Sequence, residues 1–242
     1  MHKILITGGS RGIGAATAYL AFKRGYEVLF TYKKDLQSAE NLADKIQKEG
    51  GKVGFVQADL RYEEEVNKVF AEVQSRWGKL DVLVNNAGGL ALQSTFRDIK
   101  MGRWKNMFHL NFFSAVQCTE EALKYMQVGA SIVNVSSIAA RSGAPGEYMD
   151  YASAKAALEC FTKGLAQELG PEGIRVNAVR PAFIYTDIHA VGGEVGRVDR
   201  IKSGIPLRRG GHAEEVAEAI LWLASPLSSY STGTIIDVTG GR

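Results

Sequence analysis

The sequence predicts a single doubly wound α/β domain, in which a parallel sheet of seven strands carries helices on both faces. Strand-length apolar runs alternate with longer amphipathic segments along the whole chain. Those runs are apolar almost throughout rather than at every second residue, the pattern of strands covered on both sides. No stretch of Pro, Gly or Ser separates two halves, so residues 1–242 read as one domain.

The elements follow in order. KILIT (3–7) is the first strand, followed by a glycine turn, Gly8 to Gly14, and a helix through AATAYLAFKRG. EVLFTY (27–32) is the second strand, and DLQSAENLADKIQKEG a helix that ends on Gly50. KVGFVQADL is the third strand, EEEVNKVFAEVQSRWG the third helix, and LDVLVNNAG a fourth strand ending in a polar turn. A long helix runs from about Met101 to Met126 with a break near its middle. SIVNVSS (131–137) is the fifth strand, and Tyr151 to Leu169 a helix capped by Gly170 and Pro171. IRVNAVRP is the sixth strand. A loop-rich stretch, 182–212, precedes the helix AEEVAEAILWLAS, and TGTIIDVTGG is the last strand.

Composition removes several function classes. The net charge of +3 is small and its basic residues are dispersed, which argues against nucleic acid as a partner. No apolar run is long enough to span a bilayer. The opening MHKILITGG runs straight into the glycine turn and is too short for a signal peptide, so the expected location is the cytoplasm. The two cysteines, Cys118 and Cys160, have no partners at metal-ligand spacing and are expected as buried small hydrophobes, with no metal site.

TGGSRGIG places Gly8, Gly12 and Gly14 between the first strand and the first helix. Glycines there let the backbone turn tightly and approach a pyrophosphate, and the helix N-terminus offers free N–H groups. The second strand ends FTYKKD, so Tyr32 stands where an NAD enzyme places a carboxylate, followed by Lys33 and Lys34. With Arg11 inside the glycine turn, these cations suit a 2′-phosphate and predict NADP(H) over NAD(H), which stays possible. The alternative for Lys33 and Lys34 is a solvated turn before a helix.

YASAK opens the helix after the fifth strand. Residues i and i+4 share a helix face, so Tyr151 and Lys155 point the same way. A free phenol, with a pKa of about 10, is a poor acid–base group at neutral pH. A nearby ammonium would stabilise its phenolate. The fifth strand ends in VSS, where open α/β folds bind ligands and a serine hydroxyl can bond a reacting oxygen.

Here the sequence resembles the short-chain dehydrogenase/reductase family over essentially its whole length. TGGSRGIG is similar to that family's cofactor loop, NNAG (85–88) to its turn after the fourth strand, and YASAK to its Y-x-x-x-K motif. RPAFIYT is similar to its nicotinamide segment, and TGTIIDVTGG to its final strand. The resemblance implies a Rossmann-type fold and an oxidoreductase moving a hydride between nicotinamide and a carbonyl or secondary alcohol. Tyr151 would be the general acid/base, and Lys155 would lower its pKa and bind the nicotinamide ribose. Ser137, preferred to Ser136, would polarise the substrate oxygen, and Asn111 would hold a water of the proton relay behind Lys155. The cofactor would lie against Gly8, Ser10, Arg11, Gly12, Ile13, Gly14, Tyr32, Lys33, Lys34, Asp59 (on the adenine) and Leu60. Asn86, Ala87, Gly88, Tyr151, Lys155, Pro181, Ile184 and Thr186 would complete its site.

There are departures and open points. Ala182 replaces the family's Gly after the proline. Tyr148 has Ala152 four residues on, so it lacks a lysine partner and is a candidate for the substrate pocket with Ser137, Arg141 and Phe183. Residues 182–212 should hold a substrate lid, with His189 in the lid or at the surface. GEYMDYASAK, FIYTDIHAVGGEVGRVDR and IPLRRGGHAEEVAEAI resemble a bacterial glucose-1-dehydrogenase-like branch, an analogy that names no substrate. Sugar dehydrogenase, 3-oxoacyl-thioester reductase and reductase of small xenobiotic ketones compete. Arg208 and Arg209 are candidate contacts for an acyl carrier protein. A non-catalytic dinucleotide sensor is the rival from another class. The family implies a homotetramer, with a dimer as the alternative. Phe108, Phe112 and Phe113 suit either an interface or the core.

Overall fold

A computed structural model describes residues 1–242. The seven strands are β1 (Lys3–Ile6), β2 (Glu27–Tyr32), β3 (Val53–Gln57), β4 (Val82–Asn85), β5 (Ser131–Val135), β6 (Arg175–Pro181) and β7 (Ile235–Val238). They form one sheet in the order β3-β2-β1-β4-β5-β6-β7, parallel throughout. The chain first winds outward from β1 through β3, then restarts at β4 on the other side. The switch of direction opens a crevice beyond the carboxyl ends of β1 and β4, where such sheets bind ligands.

Successive strand residues face opposite ways, which explains the unbroken apolar runs. Ile4, Ile6, Val28, Phe30 and Val84 bury on one face against α1 (Gly12–Lys23) and α10 (Ala213–Ala224). Leu5, Leu29, Leu83 and Ile132 bury on the other, against α3 (Glu63–Arg76), α5 (Ser114–Leu123) and α7 (Met149–Leu169). Burying one such aliphatic or Phe side chain is worth about 1.5–3 kcal/mol. The sheet core therefore supplies a rigid base for the loops at its carboxyl edge. The helix α2 (Leu36–Lys48) begins on Asp35, whose side chain accepts from the Ser38 N–H.

Several local expectations need correction. The helix carrying YASAK starts at Met149, two residues earlier than Tyr151, and its end is followed by a 3₁₀ turn, Gly170–Glu172. The left-handed residue that turns the chain out is Gly173, at φ 73°. The break in the 101–126 segment is a π turn, His109–Phe113, between α4 (Met101–Phe108) and α5. The 182–212 stretch is not only loop: it contains α8 (Ile188–Val191) and α9 (Arg197–Ile201). A further short helix, α6 (Ala139–Ser142), follows β5. Cys118 is buried as expected, but Cys160 is exposed. On α7, Leu158 and Thr162 point inward, and the residue midway between them faces out. Phe113 is exposed, with Phe108 and Phe112 half-buried beside it. No helix is long and apolar enough to cross a membrane.

Candidate active site

The glycine turn is shaped by φ angles of +64° at Gly8 and +52° at Gly12, which side chains other than hydrogen disfavour. A Cβ on Gly14 would fall on the Gly8 carbonyl oxygen and 2.6 Å from Asn86 Nδ2. The NNAG turn staples this loop: Asn86 Nδ2 donates to the carbonyls of Thr7 and Gly8, both at 2.9 Å. Thr7 Oγ1 accepts from the N–H groups of Asn86 (3.0 Å) and Ala87 (2.9 Å). Thr31 on β2 holds the other side, its hydroxyl accepting from Gly8 N and its carbonyl from Gly9 N. Thr7 and Thr31 are structural residues that sequence reasoning missed, since a buried threonine in a strand carries no signal of its own. Arg11, the cap residue of α1, provides no side-chain acceptor to the helix. The first N–H groups of α1 therefore open toward the crevice as anion donors, and the turn fits a dinucleotide pyrophosphate.

Tyr151 and Lys155 are both buried, one turn apart on α7. Lys155 Nζ donates to the Val135 carbonyl at 2.7 Å, at the end of β5, and lies 5.7 Å from the centre of the Tyr151 ring. Ser137 follows directly, its hydroxyl accepting from Ala139 N at 3.2 Å. Asn111 sits in the π turn with its side chain bonded at both ends: Oδ1 accepts from Gly89 N (3.0 Å), and Nδ2 donates to the carbonyls of Gly89 and Met107 (3.1 Å each). A Cβ on Gly88 would lie 2.7 Å from Asn111 Oδ1 and 3.3 Å from Lys155 Nζ, so glycine lets the chain pass close to both polar groups.

Burial dominates the electrostatics of the pair. It pushes the Tyr151 phenol up to about 12, with the Ser137 hydroxyl pulling the other way, and holds Lys155 down at about 8. The expected lowering of Tyr151 by an adjacent ammonium is outweighed, because desolvation favours the neutral form of each group.

The other predicted residues divide. Ser10, Arg11 and Ile13 lie in the glycine turn with Gly8, Gly12 and Gly14, and Thr186 lies over it, its Cγ2 3.2 Å from where a Gly12 Cβ would stand. Pro181 ends β6, and Ile184 is buried in the core on the α1 side. Tyr32 ends β2 with its ring buried against Phe55, leaving Lys33 and Lys34 as the exposed groups at that strand end. Leu60 is likewise core. Lys33 Nζ is 2.8 Å from Asp59, which Arg61 also grips, and these cations hold that carboxyl well below the usual carboxylate range. Arg141 is drawn to Asp237 at 3.2 Å instead of toward Tyr151. Tyr148 is buried, donating its hydroxyl to the Gly192 carbonyl at 3.1 Å. Phe183 lies between the guanidinium groups of Arg197 and Arg242. His189 is buried in α8, bonded to the Ile184 carbonyl, and burial lowers its pKa.

A switch-point glycine turn and a buried Tyr151–Lys155 pair beside Ser137 at the same sheet edge define a Rossmann-type oxidoreductase. A family model described as Enoyl-(Acyl carrier protein) reductase matches residues 8–242. An oxidoreductase of Escherichia coli K12, named YgfF and described as uncharacterized, is 48% identical over 98% of each chain. The 3-oxoacyl-acyl-carrier-protein reductase FabG of Aquifex aeolicus is 39% identical over 98% of this chain and 95% of its own. The chloroplastic NADPH-dependent aldehyde reductase 1 of Arabidopsis thaliana is 36% identical, over 98% and 84%. A solved short-chain dehydrogenase/reductase variant from Serratia marcescens superposes with a TM-score of 0.93 at 32% identity, over 99% of this chain and 97% of that one. The chain belongs to the short-chain dehydrogenase/reductase family, whose members are oxidoreductases that use NAD(P).

Proposed function

We propose that the protein is an NADP(H)-dependent oxidoreductase that interconverts a carbonyl compound and its alcohol, with reduction favoured at neutral pH. The observation that supports this most is the buried Tyr151–Lys155 pair beside Ser137 at the end of β5. Bound in the crevice, the nicotinamide would supply the hydride. Ser137 would donate a hydrogen bond to the carbonyl oxygen, and the Tyr151 phenol would pass its proton to that oxygen. A phenol held protonated by burial is a ready donor at neutral pH, which supports the reductive direction. Lys155, held at about 8 by burial, is still mostly an ammonium at neutral pH, so the phenolate left when Tyr151 gives up its proton would have a cation beside it. A water would link Lys155 to Asn111. Arg11, Lys33 and Lys34 support a 2′-phosphate at the ribose end. The same proposal includes a cytoplasmic homotetramer that covers the exposed Met101 and Phe113.

The test pairs binding with turnover. Tyr151→Phe should lower NADPH-dependent ketone or aldehyde reduction by about 10²–10⁴-fold while leaving NADPH fluorescence titrations nearly unchanged. Retained turnover in that variant would remove Tyr151 from the role of proton donor. Binding of NADPH without turnover in the wild type across many carbonyl compounds would favour a dinucleotide sensor.

A further inference from the structure

We infer that the carbonyl substrate is a compact, uncharged and mainly apolar aldehyde or ketone, a class set by the surroundings of Tyr151 and by the carboxylate pairing of Arg197, the arginine packed on Tyr148. The inference rests on the function proposed above and narrows it.

Ala144, Tyr148 and Ala152 bury around Tyr151, with Leu90 and Ala139 packed against them. The lid closes on this apolar floor. A Cβ on Gly192 would stand 2.6 Å from the Tyr148 hydroxyl and 3.1 Å from Leu90 Cδ1, and one on Gly193 would stand 3.2 Å from Leu92 Cδ2. The Tyr148 hydroxyl, already donating to Gly192, has no proton to offer a ligand. Desolvating the hydroxyls of a polyol against such a surface leaves them without partners, which is costly.

Charge is also accounted for. Arg197 is the buried arginine of this region, its guanidinium 5.4 Å from the centre of the Tyr148 ring and 5.7 Å from that of Phe183. It is bonded to Glu147 at 2.5 Å and to Glu194 at 3.2 Å, and Glu194 also binds Arg200. Two arginines thus meet two glutamates, and no net positive charge remains. A substrate carboxylate or phosphate would have to displace Glu147 or Glu194. Arg209 is held in the same way by Glu215, with bonds of 2.7 and 2.6 Å, and Arg208 bonds the Ser203 carbonyl. The two arginines expected to receive an acidic carrier protein are therefore engaged within the chain.

In the step itself, the carbonyl carbon gains the hydride of NADPH and the C=O π pair moves to oxygen. That oxygen takes the Tyr151 proton, giving the alcohol and NADP⁺; the phenolate is reprotonated from solvent.

The experiment follows NADPH absorbance with the full-length protein and matched substrates: 4-methylbenzaldehyde against 4-carboxybenzaldehyde, with hexanal, glucose and acetoacetyl-coenzyme A. The methyl compound should exceed the carboxylate in kcat/KM by roughly 10²-fold, the scale set by burying an unpaired charge, with glucose and the thioester slower still. Glu147→Gln, which frees half of the Arg197 charge, should narrow that ratio about tenfold, mainly through KM of the carboxylate. Equal or faster turnover of the carboxylate, the sugar or the thioester overturns the substrate class and leaves the proposed activity standing. Failure to turn over either neutral aldehyde also overturns it, and if NADPH does not bind, the proposed activity falls as well.

Discussion

Arg103 on α4 closes on Asp150 with bonds of 2.7 and 3.2 Å, and Asp150 is the residue before Tyr151. Asp150 is fully buried. The remaining arm of the same guanidinium donates to the Leu92 carbonyl at 2.7 Å, in the loop that Asn111 holds at Gly89. One arginine thus ties α4 to the first turn of α7, the helix that carries Tyr151, and to the loop facing it.

Removing one partner of a buried ion pair leaves an uncompensated charge. Arg103→Met should destabilise the protein by about 3–5 kcal/mol in urea unfolding. It should also cut kcat by up to about 10²-fold, since Tyr151 would shift from its reacting geometry. Asp150→Asn keeps a bonding partner and should cost less on both measures. Equal losses from the two variants would mean that the charge of Asp150 is irrelevant to the brace.

Gly14 tests the cofactor turn. A methyl group there meets backbone, the Gly8 carbonyl, rather than a side chain able to swing away. Gly14→Ala should therefore weaken NADPH binding at least about tenfold, and it should cost about 1–3 kcal/mol of stability, typical of overpacking. Titration and thermal unfolding on the same preparation would show both losses. Gly25→Ala is a suitable contrast: a Cβ there meets nothing within 4 Å, although its φ of +81° adds strain. It should cost stability alone.

The buried lysine predicts a pH effect on stability with a defined sign. Lys155 is held at about 8, against 10.5 in an open chain. Between those values the unfolded chain carries a proton that the folded chain lacks, so stability rises with pH. The cost of the buried ammonium is complete below about 8 and is shed as pH climbs toward 10.5. Tyr151 acts in the opposite sense, but only between 10.0 and about 12. Relative to Lys155→Met, the wild type should gain about 2 kcal/mol between pH 7.5 and 9.5. A gap in unfolding free energy that stays flat across that range would refute the depressed pKa.

The sheet was legible because each strand is apolar on both faces, a pattern that Leu5 and Ile6 satisfy by packing on opposite layers. The juxtaposition of Tyr151 and Lys155 was legible because i and i+4 on one helix are local in sequence. Arg103 and Asp150 are 47 residues apart, and nothing in either neighbourhood marks the other as a partner. The π turn at Asn111 hid for a similar reason: HLNFF is an ordinary helical stretch, and the extra residue per turn is imposed by Gly89 docking on the Asn111 amide. Between residues 182 and 212, α8 and α9 are too short to show periodicity. The packing of the Tyr32 ring against Phe55 joins strands 23 residues apart in sequence and left no local mark.

The proposed NADP(H) preference rests on three cations whose freedom differs. Lys33 is 2.8 Å from Asp59, and a 2′-phosphate must compete with that carboxylate. Asp59 would keep Arg61 if Lys33 left, so the exchange is affordable but not free. Arg11 lies 3.7 Å from Asp35 and 3.8 Å from Asp187, in exposed pairs of the kind worth little. Arg11 is then the charge most readily turned to a phosphate. Arg11→Ala should weaken NADPH binding by roughly tenfold, with NADH nearly unaffected, as expected for one charge-assisted contact of about 1.5 kcal/mol. Lys33→Ala should cost less than Arg11→Ala, and Lys33→Asp more than either, because a new carboxylate repels the phosphate. Raised salt should erode the wild-type preference toward that of Arg11→Ala. Parallel fluorescence titrations with NADPH and NADH measure all three variants, and equal weakening of both dinucleotides by Arg11→Ala would assign Arg11 to the shared pyrophosphate instead of the 2′-phosphate.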